Sequence, residues 1–183
     1  EEFDNFMISL DGSSNKSKFG ANAILSLSLA FYKAWSYVNF GAIFLSQGNS
    51  NLYIPVPMLN VINGGQHADN EVDFQEFMIL PIGFPSFKEA LSATHSVISN
   101  IKKDLKSQSL NTNLGDEGGF APNLKSHLDV LDCICESIIK AGYELNNHFK
   151  ISLDAASSEF FSDGKYNFEG NTYTTDEMIG VYE

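Results

Sequence analysis

The chain has 183 residues, enough for one or two domains with a real core. Its 43% apolar fraction, 19% charged residues, 15 Phe and 7 Tyr exclude a disordered polypeptide. A net charge of −12, from 23 acids against 11 bases, argues against nucleic-acid or anionic-membrane partners. It leaves room for a small anionic substrate, because a bound divalent cation can invert the local field.

Residues 1–11 read as the end of an amphipathic helix, with Phe3, Phe6, Met7 and Leu10 on one side. The cluster Asp11-Gly12-Ser13-Ser14-Asn15 is a turn. Next come Ala21, Ile24, Leu25, Leu27, Leu29, Phe31 and Trp35, in a stretch apolar nearly all round from 23 to 31. That pattern predicts a buried helix. The polar run from Leu45 to Leu52 is the candidate domain boundary.

Pro55 and Pro57 bar a regular strand until Met58, so 58–62 is predicted as a short buried strand, broken by Asn63-Gly64-Gly65. Asp73 to Leu80 is a second strand, stopped by Pro81. Helical spacing of Phe87, Leu91, Val97, Ile98, Ile101 and Leu105 predicts a helix over 85–107. Leu128, Leu131, Ile134, Ile138 and Ile139 predict another, ended by Gly142. Lys150 to Asp154 is a third strand. Asp163-Gly164 is a turn, and Thr174 with Glu177 forms a capping box that announces a helix. Few residues follow that signal and the first Met is Met7, so both ends are expected to be truncation points. Cys133 and Cys135, two apart in a helix, point to different faces and are expected to be small buried residues. No signal-peptide or membrane-spanning pattern occurs, which makes the cytosol the default location. The order, helices then strand-strand-helix-helix-strand, predicts an α/β domain preceded by the end of another domain.

Four places could carry chemistry. Asn63 to Asn70 leaves a strand through paired glycines and sets His67 on the loop beyond it. A surface turn with an incidental histidine is the alternative. Gln75 and Glu76 sit among strongly apolar neighbours, where burial requires a partner or a use. A solvated edge would also account for them. Gly115-Asp116-Glu117-Gly118-Gly119 holds two carboxylates on a loop of unusual backbone freedom. They suit a hard cation or acid–base work, or an acidic surface turn. Asp154 ends its strand, where barrels with parallel strands place ligands, and a helix N-cap is an equal alternative. His95, His127 and His148 read as bland.

Together these segments resemble the enolase family over essentially the whole chain. Ser17-Lys18-Phe19-Gly20-Ala21-Asn22-Ala23-Ile24-Leu25 looks like its SK-x-GANAIL segment, and Pro55 to Asn70 like its PVPxxNxINGGxHA(D/G)N stretch. Gln75 to Ile79 matches QEFMI, and Gly115 to Asn123 matches GDEGGFAPN unchanged. The HADN form is more similar to the bacterial branch. The resemblance implies a partial barrel with a ββαα start and then βα units, at 53–183. Before it, residues 1–47 would be the last helices of an α+β cap domain.

The resemblance also implies a Mg²⁺-dependent hydro-lyase of glycolysis, cytoplasmic and homodimeric, converting 2-phosphoglycerate to phosphoenolpyruvate. A lysine base works with metal-stabilised enediolate charge. Glu117 would be the acid that helps the hydroxyl leave, with Glu76 beside it. His67, Gln75 and Glu76 would contact substrate, and Asp154 would be one Mg²⁺ ligand. The family's base lysine and its other metal ligands lie beyond Glu183, so the chain alone is expected to be inactive and poorly soluble. Ser157 stands where the family usually has Ala, which puts the packing behind Asp154 in question. The alternative is a truncated or degenerate homologue that acts as a non-catalytic binding protein.

Overall fold

The computed structural model describes residues 1–41, 54–115 and 118–183. By its internal contacts the chain divides into two compact units, Glu1–Tyr53 and Ile54–Glu183. The predicted boundary at 45–52 lies outside the described residues.

In the first unit, helix α1 spans Glu2–Asp11 and helix α2 spans Ala21–Phe40. Gly12, at φ 70, ends α1 in the left-handed region that glycine adopts without penalty. Asp11 is buried and fixes the turn between the helices. Its carboxylate accepts from the Ser13 hydroxyl, from Ser13 N (3.0 Å) and from Phe19 N (2.9 Å). Those hydrogen bonds hold the carboxyl below its usual range, the Ser13 hydroxyl most of all. Phe3 stacks on Phe31 at 4.4 Å, and the Ser28 hydroxyl donates to Asp4.

The helix expected to be buried is largely exposed. Leu25 is 57% exposed and Phe31 49%, and the only buried residue of α2 is Ser36. An apolar surface all round says that a helix is suited to burial; how much is covered depends on neighbours, and within the described residues of this unit α2 packs only on α1.

The second unit follows the expected strand-strand-helix-helix-strand order. Strands β1 (Leu59–Asn63), β2 (Glu76–Pro81) and β3 (Phe149–Asp154) form one sheet in the order β1-β2-β3. Both outer strands run antiparallel to β2. The expectation of a parallel setting for Asp154 therefore needs correcting: β3 pairs with an antiparallel neighbour. The start of β2 meets the C-terminal ends of β1 and β3 as a result. Asp73 lies outside the strand, which begins at Glu76, although Gln75 N still donates to Asp154 O at 3.1 Å.

Alternation along β2 sends Phe77 and Ile79 into the core. They meet helix α3 (Phe87–Ser107) and helix α4 (His127–Lys140) in one cluster with Val97, Ile101, Val130 and Ile134. Each helix starts on a serine N-cap, Ser86 and Ser126, whose hydroxyl accepts an amide of the first turn. Asp104 ties the two together, accepting from Lys140 (2.9 Å) and Ser137 (3.2 Å). Cys133 and Cys135 are half-buried on α4, more open than their composition suggests.

The sequence reading missed a second sheet. Strands β4 (Phe161–Ser162), β5 (Lys165–Phe168) and β6 (Asn171–Tyr173) form an antiparallel meander before helix α5 (Thr175–Tyr182). Asp163-Gly164 makes its first turn and Glu169-Gly170 its second, all four at positive φ. Phe168 packs on Phe74 at 4.6 Å. No helix among the described residues is long and apolar enough to cross a membrane.

Candidate active site

The three strands bring their residues together at one end of the sheet. In the ladder, Glu76 faces Asn63 on β1 and Asp154 on β3. The end of β1 thus lies beside one carboxylate, and the end of β3 carries the other.

Beyond Asn63 the chain turns tightly. Gly64 N donates to Gln75 O (3.0 Å) and Gly65 N to Val72 O (2.6 Å). A Cβ on Gly64 would lie inside 3.0 Å of the Val72 and Phe74 carbonyl oxygens, so only glycine fits without movement. One short 3-10 turn, Gly65–His67, follows and presents the imidazole back toward β2. His67 Nδ1 lies 3.3 Å from Glu76 Oε1, and both side chains are largely but not fully enclosed. Asn70 closes the loop: its amide donates to Asn63 O (3.0 Å) and Pro122 O (2.9 Å). Gln75 is fixed through its backbone on both sides, to Gly64 and Asp154.

The glycine-rich loop docks against the same strand end. Phe120 N donates to Val61 O (2.9 Å), and Asn63 N donates to Phe120 O (2.8 Å). Gly118 and Gly119 take positive φ, as the glycine pattern predicts. Asp116 and the predicted acid Glu117 lie outside the described residues.

Asp154 is exposed, and its Oδ1 accepts from Ala156 N at 3.1 Å, in a turn that drives Ala156 to φ 45. Its donor set is hard carboxylate oxygen, which suits Mg²⁺. Among the described residues no three His, Cys, Asp or Glu side chains gather to hold a metal, and Asp154 brings a single carboxylate. Ser157 is half-buried in the short 3-10 turn Ser157–Phe160.

Two residues at this end of the molecule carry more than the sequence suggested. Asn63, read there as part of a turn, is 1% exposed and fully hydrogen-bonded. His127, read as bland, contacts Glu169 through both its backbone N (2.6 Å) and its Nδ1 (2.8 Å), tying the second sheet to the start of α4. Neither had a local signal, because the partners Gly118 of Asn63 and Glu169 of His127 lie far away in sequence.

The comparisons agree with this architecture. Residues 1–45 match the family model for the enolase N-terminal domain, and residues 51–181 match that for the enolase C-terminal TIM barrel domain. The enolase of Beutenbergia cavernae is 52% identical over 180 residues, covering 98% of this chain and 42% of that protein. The enolase of Corynebacterium kroppenstedtii is 51% identical over 183 residues, covering 98% of this chain and 43% of that protein. The chain therefore spans less than half the length of these relatives. On these matches the chain belongs to the enolase family.

Proposed function

We propose that the full gene product is a phosphopyruvate hydratase, removing water from 2-phosphoglycerate to give phosphoenolpyruvate. The observation that carries this reading is the approach of His67 to Glu76 at the sheet end shared with Asp154. A histidine, two carboxylates and a docked glycine-rich loop can bind an anionic hydroxy acid and handle its protons.

In this mechanism Glu117 gives a proton to the departing C3 hydroxyl, which leaves as water. Glu76 stands beside that hydroxyl and orients it. His67 and Gln75 hydrogen-bond the substrate's oxygens. Asp154 would contribute one carboxylate to Mg²⁺, whose positive charge would favour loss of the C2 proton. The base, a lysine in the family, is assigned to no residue of this chain. We assign residues 1–47 to the cap domain and 53–183 to the first part of the barrel, in a cytoplasmic homodimer. Residues 1–183 alone should be inactive, because a three-stranded sheet is far from a closed barrel and one carboxylate does not make a tight Mg²⁺ site.

The test is direct. The full gene product is mixed with 2-phosphoglycerate and Mg²⁺, and ultraviolet absorbance is followed. A rise that stops on chelation is expected. No rise at any Mg²⁺ concentration would remove the reading.

A further inference from the structure

We propose that Asn63 is a positioning residue that holds Gly118 and Phe120, which follow Glu117 in the sequence, against the end of the sheet. The catalytic part of this inference rests on the dehydratase reading above.

Asn63 is a polar side chain at 1% exposure, so each of its polar groups needs a partner. Each has one. Its Oδ1 accepts from Asn60 Nδ2 at 2.6 Å, and its Nδ2 donates to Gly118 O at 2.8 Å and reaches Phe120 O at 3.4 Å. Its backbone N donates to Phe120 O, and its backbone O accepts from Asn70. The bond from Asn60 turns the amide so that its nitrogen points at the loop.

The loop is built to receive that nitrogen. A Cβ on Gly115 would lie 2.8 Å from Asn63 Nδ2, and one on Gly119 would lie 3.0 Å from it. Glycine at both positions lets the loop backbone close onto the amide. Across the ladder, Asn63 faces Glu76. A single residue therefore couples the loop to the strand that carries Glu76. Aspartate could not substitute, because its oxygens would face the Gly118 carbonyl with no proton to give. An apolar residue would leave that carbonyl without its donor.

The experiment uses the full gene product with Asn63→Ala, and with Asn60→Ala as a second variant that keeps the donor but frees its orientation. Turnover is measured with hydrogen exchange at the Gly118 and Phe120 amides. For Asn63→Ala we expect kcat to fall about 100-fold, as a misplaced catalytic group does. We expect KM to move less than about threefold, since a transition-state contact and not uniform binding is lost. Exchange at Gly118 and Phe120 should speed up while Ile134 and Ile138 on α4 stay protected. Asn60→Ala should show the same pattern more weakly. Unchanged kcat in both variants, unchanged loop exchange, or a KM effect alone overturns the assignment. If Asn63→Ala does not fold, the outcome for Asn60→Ala decides. An inactive wild type would overturn the dehydratase reading instead, and the exchange data would still decide whether Asn63 holds the loop.

Discussion

His67 Nδ1 stands 3.3 Å from Glu76 Oε1, and the same Glu76 faces Asp154 across the β2–β3 ladder. This arrangement makes Glu76 the hub of the site. Glu76→Gln keeps the shape and removes the charge. In the full gene product kcat should fall roughly 100-fold or more, as when a reacting group loses its orientation, with little change in Tm. Steady-state kinetics beside a melting curve separates the two. Glu117→Gln should be at least as damaging, and normal turnover in that variant would remove the acid assignment.

Asp154 calls for a different readout. Its Oδ1 is partly engaged by Ala156 N, so Asp154→Asn leaves the turn able to form while weakening a hard-cation ligand. Calorimetric titration of the full gene product with Mg²⁺ should show affinity falling at least roughly tenfold, about 1.4 kcal/mol. Unaltered Mg²⁺ affinity would show that Asp154 is only a turn residue.

Two glycines should respond to alanine for opposite reasons. At Gly64 the backbone angle is ordinary, but the added methyl meets the Val72 and Phe74 carbonyls, which cannot move without opening the His67 loop. Overpacking of this kind costs about 1–3 kcal/mol. At Gly142 nothing lies within 4 Å, but φ is +85, and the left-handed conformation alone costs about 1 kcal/mol. Urea midpoints should rank Gly64→Ala below Gly142→Ala, with only the former impairing turnover.

The capping box of α5 gives a pH dependence. Glu177 accepts from Thr174 N (2.8 Å) and from the Thr174 hydroxyl (2.9 Å), and these bonds hold its carboxyl below the usual range, the backbone bond most of all. A depressed folded-state pKa contributes stability above the unfolded value and loses it as pH falls through the folded one. Protection of the α5 amides should therefore be full near neutrality and decline below the ordinary carboxylate range. Thr174→Ala should lower it at every pH, by about 1 kcal/mol for a lost N-cap. A profile flat down to strongly acidic pH would contradict this.

Much of the second unit was legible from local pattern. Val97, Ile101 and Leu105 repeat at helical spacing and do face the core. The box at Thr174 needs only two side chains three residues apart, and it forms as read. What escaped was non-local. The direction in which Asp154's strand pairs is set by β2, remote in sequence. Strands of two to four residues such as β4, β5 and β6 carry too few alternations to register. Leu25 and Phe31 disclosed an apolar helix but not the extent of its cover. At the site, the motif containing Asn63 looked like a turn, because the carbonyl it binds belongs to Gly118.

The cysteines provide the last test. Two half-buried thiols on one helix could be taken for reactive groups, but the surroundings of Cys133 argue otherwise. Burial, and then the negative charges of Asp104 and Glu136, push its thiol up to about 11, with Lys140 opposing. Burial pushes Cys135 up as well. Only the thiolate reacts, so its fraction at neutral pH is small. Alkylation of Cys133 by iodoacetamide should be much slower than that of a free thiol near neutrality, and its rate should climb as pH approaches about 11. Asp104→Asn should speed it, by removing one of the charges that disfavour the thiolate, even though Lys140 and Ser137 lose their partner. A rate equal to that of free cysteine near neutral pH would mean that α4 opens far more readily than its packed face implies.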